Sequence, residues 1–156
     1  MSGNGRRVLV LNGPNLGTLG RREPEVYGTK TLADLEKLLT NRARELGVEL
    51  RFRQSNHEGQ LIDWVETEAS DAIIINPGAL SHYSLALADA LRGSGKPVVE
   101  VHISNVFSRE PERHRMVTAG ASKGVISGLG FAGYVAALEY LKSLPPPRAG
   151  EGRGGG

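Results

Sequence analysis

Five times along this chain a short run rich in branched aliphatic residues gives way to a segment with other spacing. The runs are "RVLVLN" (7–12), "VELRFRQS" (48–55), "DAIIIN" (71–76), "PVVEVH" (97–102) and "GVISG" (124–128). Between and after them lie "TLADLEKLLTNRARELG", "GQLIDWVETEAS", "SLALADALRG" and "FAGYVAALEYLKSL", whose apolar residues recur at helical intervals. A strand followed by a helix and another strand returns by a right-handed crossover. Serial repetition therefore builds a parallel sheet with helices on both faces. No other feature restricts the fold as much.

At 156 residues the alternation fills one domain. It predicts an α/β, flavodoxin-like three-layer sandwich: a five-stranded parallel sheet in the order 2-1-3-4-5. "DAIIIN" is almost wholly apolar and reads as a central strand, whereas "VELRFRQS" alternates and reads as a half-exposed edge. Leu32, Leu35, Leu38, Leu39 and Leu46 set the apolar face of the first long helix. Thr31 is placed as its N-cap and Gly47 as the residue that closes it. A mixed segment at Glu112–Thr118 predicts a short helix. Residues 1–6 read as a flexible N-terminus, 7–144 as one catalytic domain, and 145–156 ("PPPRAGEGRGGG" after Leu144) as a disordered tail.

Cysteine is absent, which removes disulfides, thiolate nucleophiles and zinc–cysteine sites and fits a cytoplasmic protein. No apolar stretch approaches the ~20 residues that span a bilayer. The net charge is +2, with Arg148 and Arg153 against Glu151 in the tail, so the body is close to neutral. A nucleic-acid binder would want a basic face, and the arginines here are scattered. His57 and Glu58 are adjacent, not at ligand spacing, and the histidines form no H-x-x-x-H pair, so no metal is expected.

In such sheets ligands bind beyond the carboxyl ends of the strands, at the switch between strands 1 and 3. Polar and titratable residues gather there: Asn76, then His82, after the third strand; Glu100 and His102 at the end of the fourth. After the first strand comes "NGPNLGTLGRREPEVYG" (12–28), too long for a connector and thus a candidate lid. It matches neither G-x-G-x-x-G nor G-x-x-x-x-G-K-[ST], which argues against a nucleotide or flavin site. Its cargo is Arg21, Arg22 and Tyr27, with Gly17, Gly20 and Gly28 as hinges.

Tyrosine has a reference pKa near 10 and serves as a base only with its phenolate stabilised; a nearby guanidinium such as Arg22 does that. Histidine, near 6.5, titrates in the working range. Glu100, two residues before His102 on one strand, shares its face. A base and an acid facing one cleft suit an elimination, one taking a C–H proton and the other protonating a leaving hydroxyl. Each residue also has an ordinary reading: Tyr27 a loop aromatic, His102 a strand-end histidine, Arg22 a solvated arginine, His82 a helix neighbour, Asp89 a surface helix residue.

Taken together, "LNGPNLGTLGRREPEVYG", "RQSNHEGQLIDW", "IINPGALSHYSLALADAL", "VVEVHISN" and "GLGFAGYVAALEYL" resemble the type II 3-dehydroquinate dehydratases, from about Val8 to Leu144. The resemblance implies a hydro-lyase of the shikimate route to chorismate and the aromatic amino acids. It eliminates water in the anti sense from 3-dehydroquinate, through an enolate, to give 3-dehydroshikimate. It implies no cofactor, no metal and no lysine Schiff base, and a homo-dodecamer built from trimers. By motif, Tyr27 would be the proton acceptor, Arg22 its activator, His102 the proton donor, and Asn15 the residue placing a water on the enolate oxygen. Glu100 would orient within the site. Asn76, His82, Asp89, Ile103, Ser104 and Arg113 would bind substrate.

The chain departs from that pattern at Phe107, where histidine is frequent, at Tyr83, where threonine is common, and at "REPERHRMV" (109–117), where the usual run is "REPFRHHSY". The last change weakens the support expected for Arg113. It leaves room for a homologue that assembles but is inert.

Overall fold

The computed structural model describes residues 5–21 and 24–145; the side chains of Val26 and Tyr27 fall outside that description. Strands β1 (Arg7–Asn12), β2 (Glu49–Gln54), β3 (Ala72–Asn76), β4 (Val98–His102) and β5 (Gly124–Ser127) form one parallel sheet in the order β2-β1-β3-β4-β5. Every residue of β3 and β4 is buried, while β2 and β5 at the edges are half-buried or exposed. The expected order and the expected edge are both observed.

Helices α1 (Pro24–Tyr27), α2 (Leu32–Leu46), α3 (Glu58–Thr67), α4 (Leu85–Gly93) and α5 (Phe131–Ser143) complete the described elements, with several 3₁₀ turns. Helices α2 and α5 cover one face of the sheet over Val8, Val10, Ala72, Ile74, Val99 and Val101. Helices α3 and α4 cover the other, over Leu9, Leu11, Ile73, Ile75 and Val98. The pleat assigns alternate residues to opposite layers, so both layers are apolar up to the last residues of each strand. Thr31 caps α2 as expected: its hydroxyl accepts from the Asp34 N–H, and the Asp34 carboxylate accepts from the Thr31 N–H. Gly47 closes the same helix at φ 72°.

The structure departs from the sequence reading in three places. Leu38 is exposed, and Ala43 takes the inward position beside Leu35 and Leu39. The segment expected as one short helix at Glu112–Thr118 is instead two 3₁₀ turns, Pro111–Arg113 and Thr118–Ala121, because its polar residues have no apolar stripe to bury. The long loop after β1 is not bare: it holds a 3₁₀ turn at Leu16–Thr18 and the single-turn helix α1. Leu16 and Leu19 are buried in the α2/α5 layer, so the first half of this loop belongs to the core. Gly17 lies in that 3₁₀ turn, exposed, between the two buried leucines. The readings placed on residues 1–4, on Arg22 and on the tail from 146 onward lie outside the described residues. Among the described residues, no helix is long and apolar enough to cross a membrane.

Candidate active site

Three chain segments leave the sheet at its carboxyl edge and meet. Register puts Asn12 of β1 beside Asn76 of β3, and Ile75 of β3 beside Glu100 of β4. The glycine after β1 lets the β1 and β3 exits touch: the Gly13 N–H donates to the Asn76 carbonyl at 2.8 Å. A Cβ at Gly13 would stand 2.5 Å from the Pro77 carbonyl oxygen. Asn15 follows at φ 72°, a left-handed conformation held by its N–H to Asn56 Oδ1 (3.0 Å) and by two donors of Thr18 to its carbonyl. The result is a small cavity of ≈ 90 Å³ lined by Asn15, Asn76, His82, His102, Ile103, Ser104, Arg109 and Arg113, with Leu16 and Val106 among its apolar walls.

Because side chains alternate, the polar strand ends fall into two clusters on opposite faces of the sheet. On the α2/α5 face, the Tyr134 hydroxyl of α5 donates to Asn12 Oδ1 (2.8 Å) and accepts from Asn76 Nδ2 (2.9 Å). Asn12 Nδ2 donates to the Arg53 carbonyl, and Asn76 Oδ1 accepts from the Gly78 N–H. Burial pushes the Tyr134 hydroxyl well above its ordinary pKa, so it is a neutral hydrogen-bonding post and not a base.

On the other face lie Glu100 and His102. Glu100 is 0% exposed, in a layer that is otherwise aliphatic. Its Oε2 accepts from His102 Nε2 (2.6 Å) and from the Ser81 hydroxyl (2.6 Å); its Oε1 accepts from the Thr118 hydroxyl (2.6 Å). Burial alone would raise the carboxyl pKa. The bonds from His102, Ser81 and Thr118, with the charge of His102, outweigh that and hold it below the ordinary carboxylate range. An ionised carboxylate only accepts, so Nε2 of His102 carries a proton and Nδ1 is the ring nitrogen left for the cavity. The His82 ring stacks on that of His102, with centroids 6.4 Å apart and planes 20° from parallel. His82 Nδ1 donates to the Arg115 carbonyl at 2.7 Å, which fixes its tautomer as well.

The chemistry of the lining is one-sided. Among the described residues, two arginines and two histidines border the cavity and no carboxylate does, since Glu100 is screened behind His102. Such a lining suits an anionic ligand. Arg109 reaches Ser104 Oγ at 3.3 Å, and Arg113 pairs with Glu110 at 3.1 Å without the alignment of a hydrogen bond.

Of the residues expected from the sequence, the cavity brings together Asn15, Asn76, His82, His102, Ile103, Ser104 and Arg113, with Glu100 directly behind. Asp89 is elsewhere. It is on α4, with its side chain 80% exposed, on a wider groove of ≈ 650 Å³ between α3 and α4 that also includes Ile62, Val65 and Lys96. That groove is larger than the strand-end cavity and carries Glu66, Ser94 and Lys96 beside Asp89, but none of the strand-end residues. Arg22 and the Tyr27 side chain lie outside the described residues; the backbone of Tyr27 ends α1. Sequence reasoning missed Arg109, Ser81 and Thr118. Arg109 carried a signal, a basic residue shortly after the fourth strand. The two hydroxyls carried none, because only tertiary packing brings them to Glu100. Among the described residues, no group of three or more potential ligands could hold a metal.

The unusual segment after Glu110 is tied in by its backbone. The Arg115 carbonyl holds His82, and the Val117 N–H donates to the Ser81 carbonyl at 2.7 Å. Neither bond depends on the Arg115 or Met116 side chain. Phe107 packs on the ring of His114, at 5.6 Å.

Residues 6–142 match a family model described as dehydroquinase class II. A 3-dehydroquinate dehydratase of Deinococcus radiodurans is 56% identical over 140 residues, 88% of this chain and 98% of that protein. The crystal structure of type II dehydroquinase from Propionibacterium acnes superposes with a TM-score of 0.86 at 46% identity, covering 90% of this chain and 98% of that one. That of type II dehydroquinase from Butyrivibrio crossotus gives 0.88 at 41%, covering 90% and 100%.

Proposed function

We propose, for a chain that belongs to the class II dehydroquinase family, the removal of water from 3-dehydroquinate to give 3-dehydroshikimate. The observation that carries the mechanism is the Glu100–His102 pair at the edge of a cation-lined cavity. The substrate is a carboxylate, and the arginines and histidines of the lining complement it.

Tyr27, as a phenolate favoured by the Arg22 guanidinium, takes the proton from C2. The electron pair moves toward the C3 carbonyl and gives an enolate, with Asn15 placing a water on its oxygen. As the enolate collapses, the C1–O bond breaks and His102, protonated on both ring nitrogens, passes the Nδ1 proton to the departing hydroxyl and keeps the one on Nε2. Water leaves and a C1–C2 double bond remains. Glu100 receives no proton in this scheme; it orients the ring through Nε2. Asn76, His82, Ile103, Ser104 and Arg113 hold the substrate, and Arg109 adds charge beside Ser104.

Asp89 fits a substrate-binding role only across a subunit boundary. Its exposure and its place on α4, away from its own cavity, agree with a homo-oligomer in which a second copy approaches that face. We place the protein in the cytoplasm as a dodecamer, a tetramer of trimers, on the family resemblance.

The test is to follow the conjugated enone in the ultraviolet during incubation with 3-dehydroquinate. We expect turnover by the unaltered protein and its abolition in Tyr27→Phe, with substrate binding retained. His102→Ala should lose on the order of 10²–10⁴-fold in kcat. No absorbance gain at high enzyme concentration would remove the function. A near-normal rate for Tyr27→Phe would remove the base.

A further inference from the structure

We propose that Ser81 and Thr118 are positioning residues of the reaction: their hydroxyls hold the Glu100 carboxylate ionised and aligned, so that His102 turns its second ring nitrogen to the substrate. The inference rests on the reading of His102 as the proton donor.

Glu100 would otherwise be an unstable feature, because a carboxylate without contact to water is costly unless its oxygens are bonded. Three elements converge to bond them. Ser81 comes from the turn Gly78–His82 that follows β3, Thr118 from the turn Thr118–Ala121 that precedes β5, and His102 from β4 itself. The contacts from the two hydroxyls are both 2.6 Å, within the charge-assisted range for O–H to O⁻. Both hydroxyls are 0% exposed, so water cannot replace either one without rearrangement.

The protons can be counted. Each hydroxyl has one to give, and both go to Glu100. The 3.2 Å separation of Thr118 Oγ1 from Ser81 Oγ then joins two oxygens and holds no proton of its own. With three donors on two oxygens, the carboxylate has no need of a proton. The two turns are also locked to one another by the Val117 N–H and the Ser81 carbonyl, so the donors move as a unit. Without one of them, the Glu100 carboxylate gains affinity for the Nε2 proton. A proton passed from Nε2 of the doubly protonated ring to the carboxylate leaves a neutral imidazole whose remaining proton, on Nδ1, is far less acidic.

Among the described residues, the titratable or charged groups around Glu100 are few. His102 is on its own strand, His82 stacks beyond His102, and Arg109 and Arg113 border the cavity from the turns after β4. The register neighbours of Glu100, Ile75 and Val125, are aliphatic. Ser81 and Thr118 are therefore the neutral donors through which the carboxylate can be tuned.

The experiment compares Thr118→Val, Thr118→Ser, Ser81→Ala and the unaltered protein by steady-state kinetics and by NMR titration of the Glu100 side-chain carboxyl carbon and the His102 ring nitrogens. We expect kcat to fall roughly tenfold to a hundredfold in Thr118→Val and Ser81→Ala, the loss of a hydrogen bond to a charged group. KM should stay within about twofold. The Glu100 carboxyl should titrate at higher pH, since donors that held its pKa down are gone, and Thr118→Ser should restore both properties. An unmoved Glu100 titration, or a Thr118→Ser variant as impaired as Thr118→Val, would overturn the proposal by showing that only packing was lost. Should Thr118→Val not fold, the same readouts on Ser81→Ala decide. The NMR arm needs no turnover, so a protein without dehydratase activity would sink the functional reading and still leave the Glu100 titration to judge this one.

Discussion

The hydroxyl of Tyr134 is one atom serving two strands. It accepts from Asn76 and donates to Asn12, and both amides are buried at the point where β1 and β3 diverge. Removing it in Tyr134→Phe keeps the ring in the core and leaves two amide groups short of a partner. We expect a loss of about 1–3 kcal/mol in urea unfolding. A change below about 0.5 kcal/mol would mean that water or a shifted amide replaces the bond. Asn76 was legible in the sequence as a polar residue ending an apolar strand. The reason for its fixed orientation was not, since Tyr134 lies 58 residues later and looks like an ordinary helix aromatic. Glu100 shows the same division. A carboxylate amid valines announces a partner, and His102 two positions on was the natural candidate. Ser81 and Thr118 became visible only once two separate turns had been brought to the end of β4.

At the scale of elements, the site depends on how closely the exits of β1 and β3 approach. Gly13 permits it: its N–H reaches the Asn76 carbonyl, and the space where a Cβ would go is filled by the Pro77 carbonyl. Gly13→Ala must push the two exits apart, and backbone cannot yield as a flexible side chain can. We expect the variant to lose about 1–3 kcal/mol of stability and to bind substrate poorly, measured by urea unfolding and by KM. Wild-type KM would show that the cavity tolerates the displacement. The regular elements were largely readable beforehand, down to the Thr31 cap of α2, because periodic burial and capping are local signals. The 3₁₀ turns were not, because single turns have no period. Leu16 and Leu19 explain the remaining error: two leucines in a glycine-rich loop read as lid, yet they fill the end of the α2/α5 layer.

For the whole molecule, two buried or half-buried carboxylates at opposite edges of the sheet set the response to acid. At the amino edge Asp71 accepts from the Arg7 N–H and guanidinium. Burial would raise its pKa, but the Arg7 bonds and charge bring the net shift downward; Glu100, at the carboxyl edge, is lowered as well. A depressed folded-state pKa gives stability that is present above the unfolded value, near 4 for carboxylates, and is lost as pH falls through the folded value. We expect the urea midpoint to drop between about pH 5 and pH 3, and Glu100→Gln to make that drop shallower. An equal slope in the variant would show that Glu100 contributes no linked proton. The sequence by itself determined the architecture, since five apolar runs with helical segments between them close into one parallel sheet by handedness and burial alone. It also determined which edge holds the chemistry, because polar residues ended the central strands. Only the tertiary structure decided how that chemistry is divided between two faces, which hydroxyls support Glu100, and that Asp89 stands apart from its own cavity. Periodicity is a property of neighbours in the chain, whereas a hydrogen bond across a sheet depends on where distant turns come to rest.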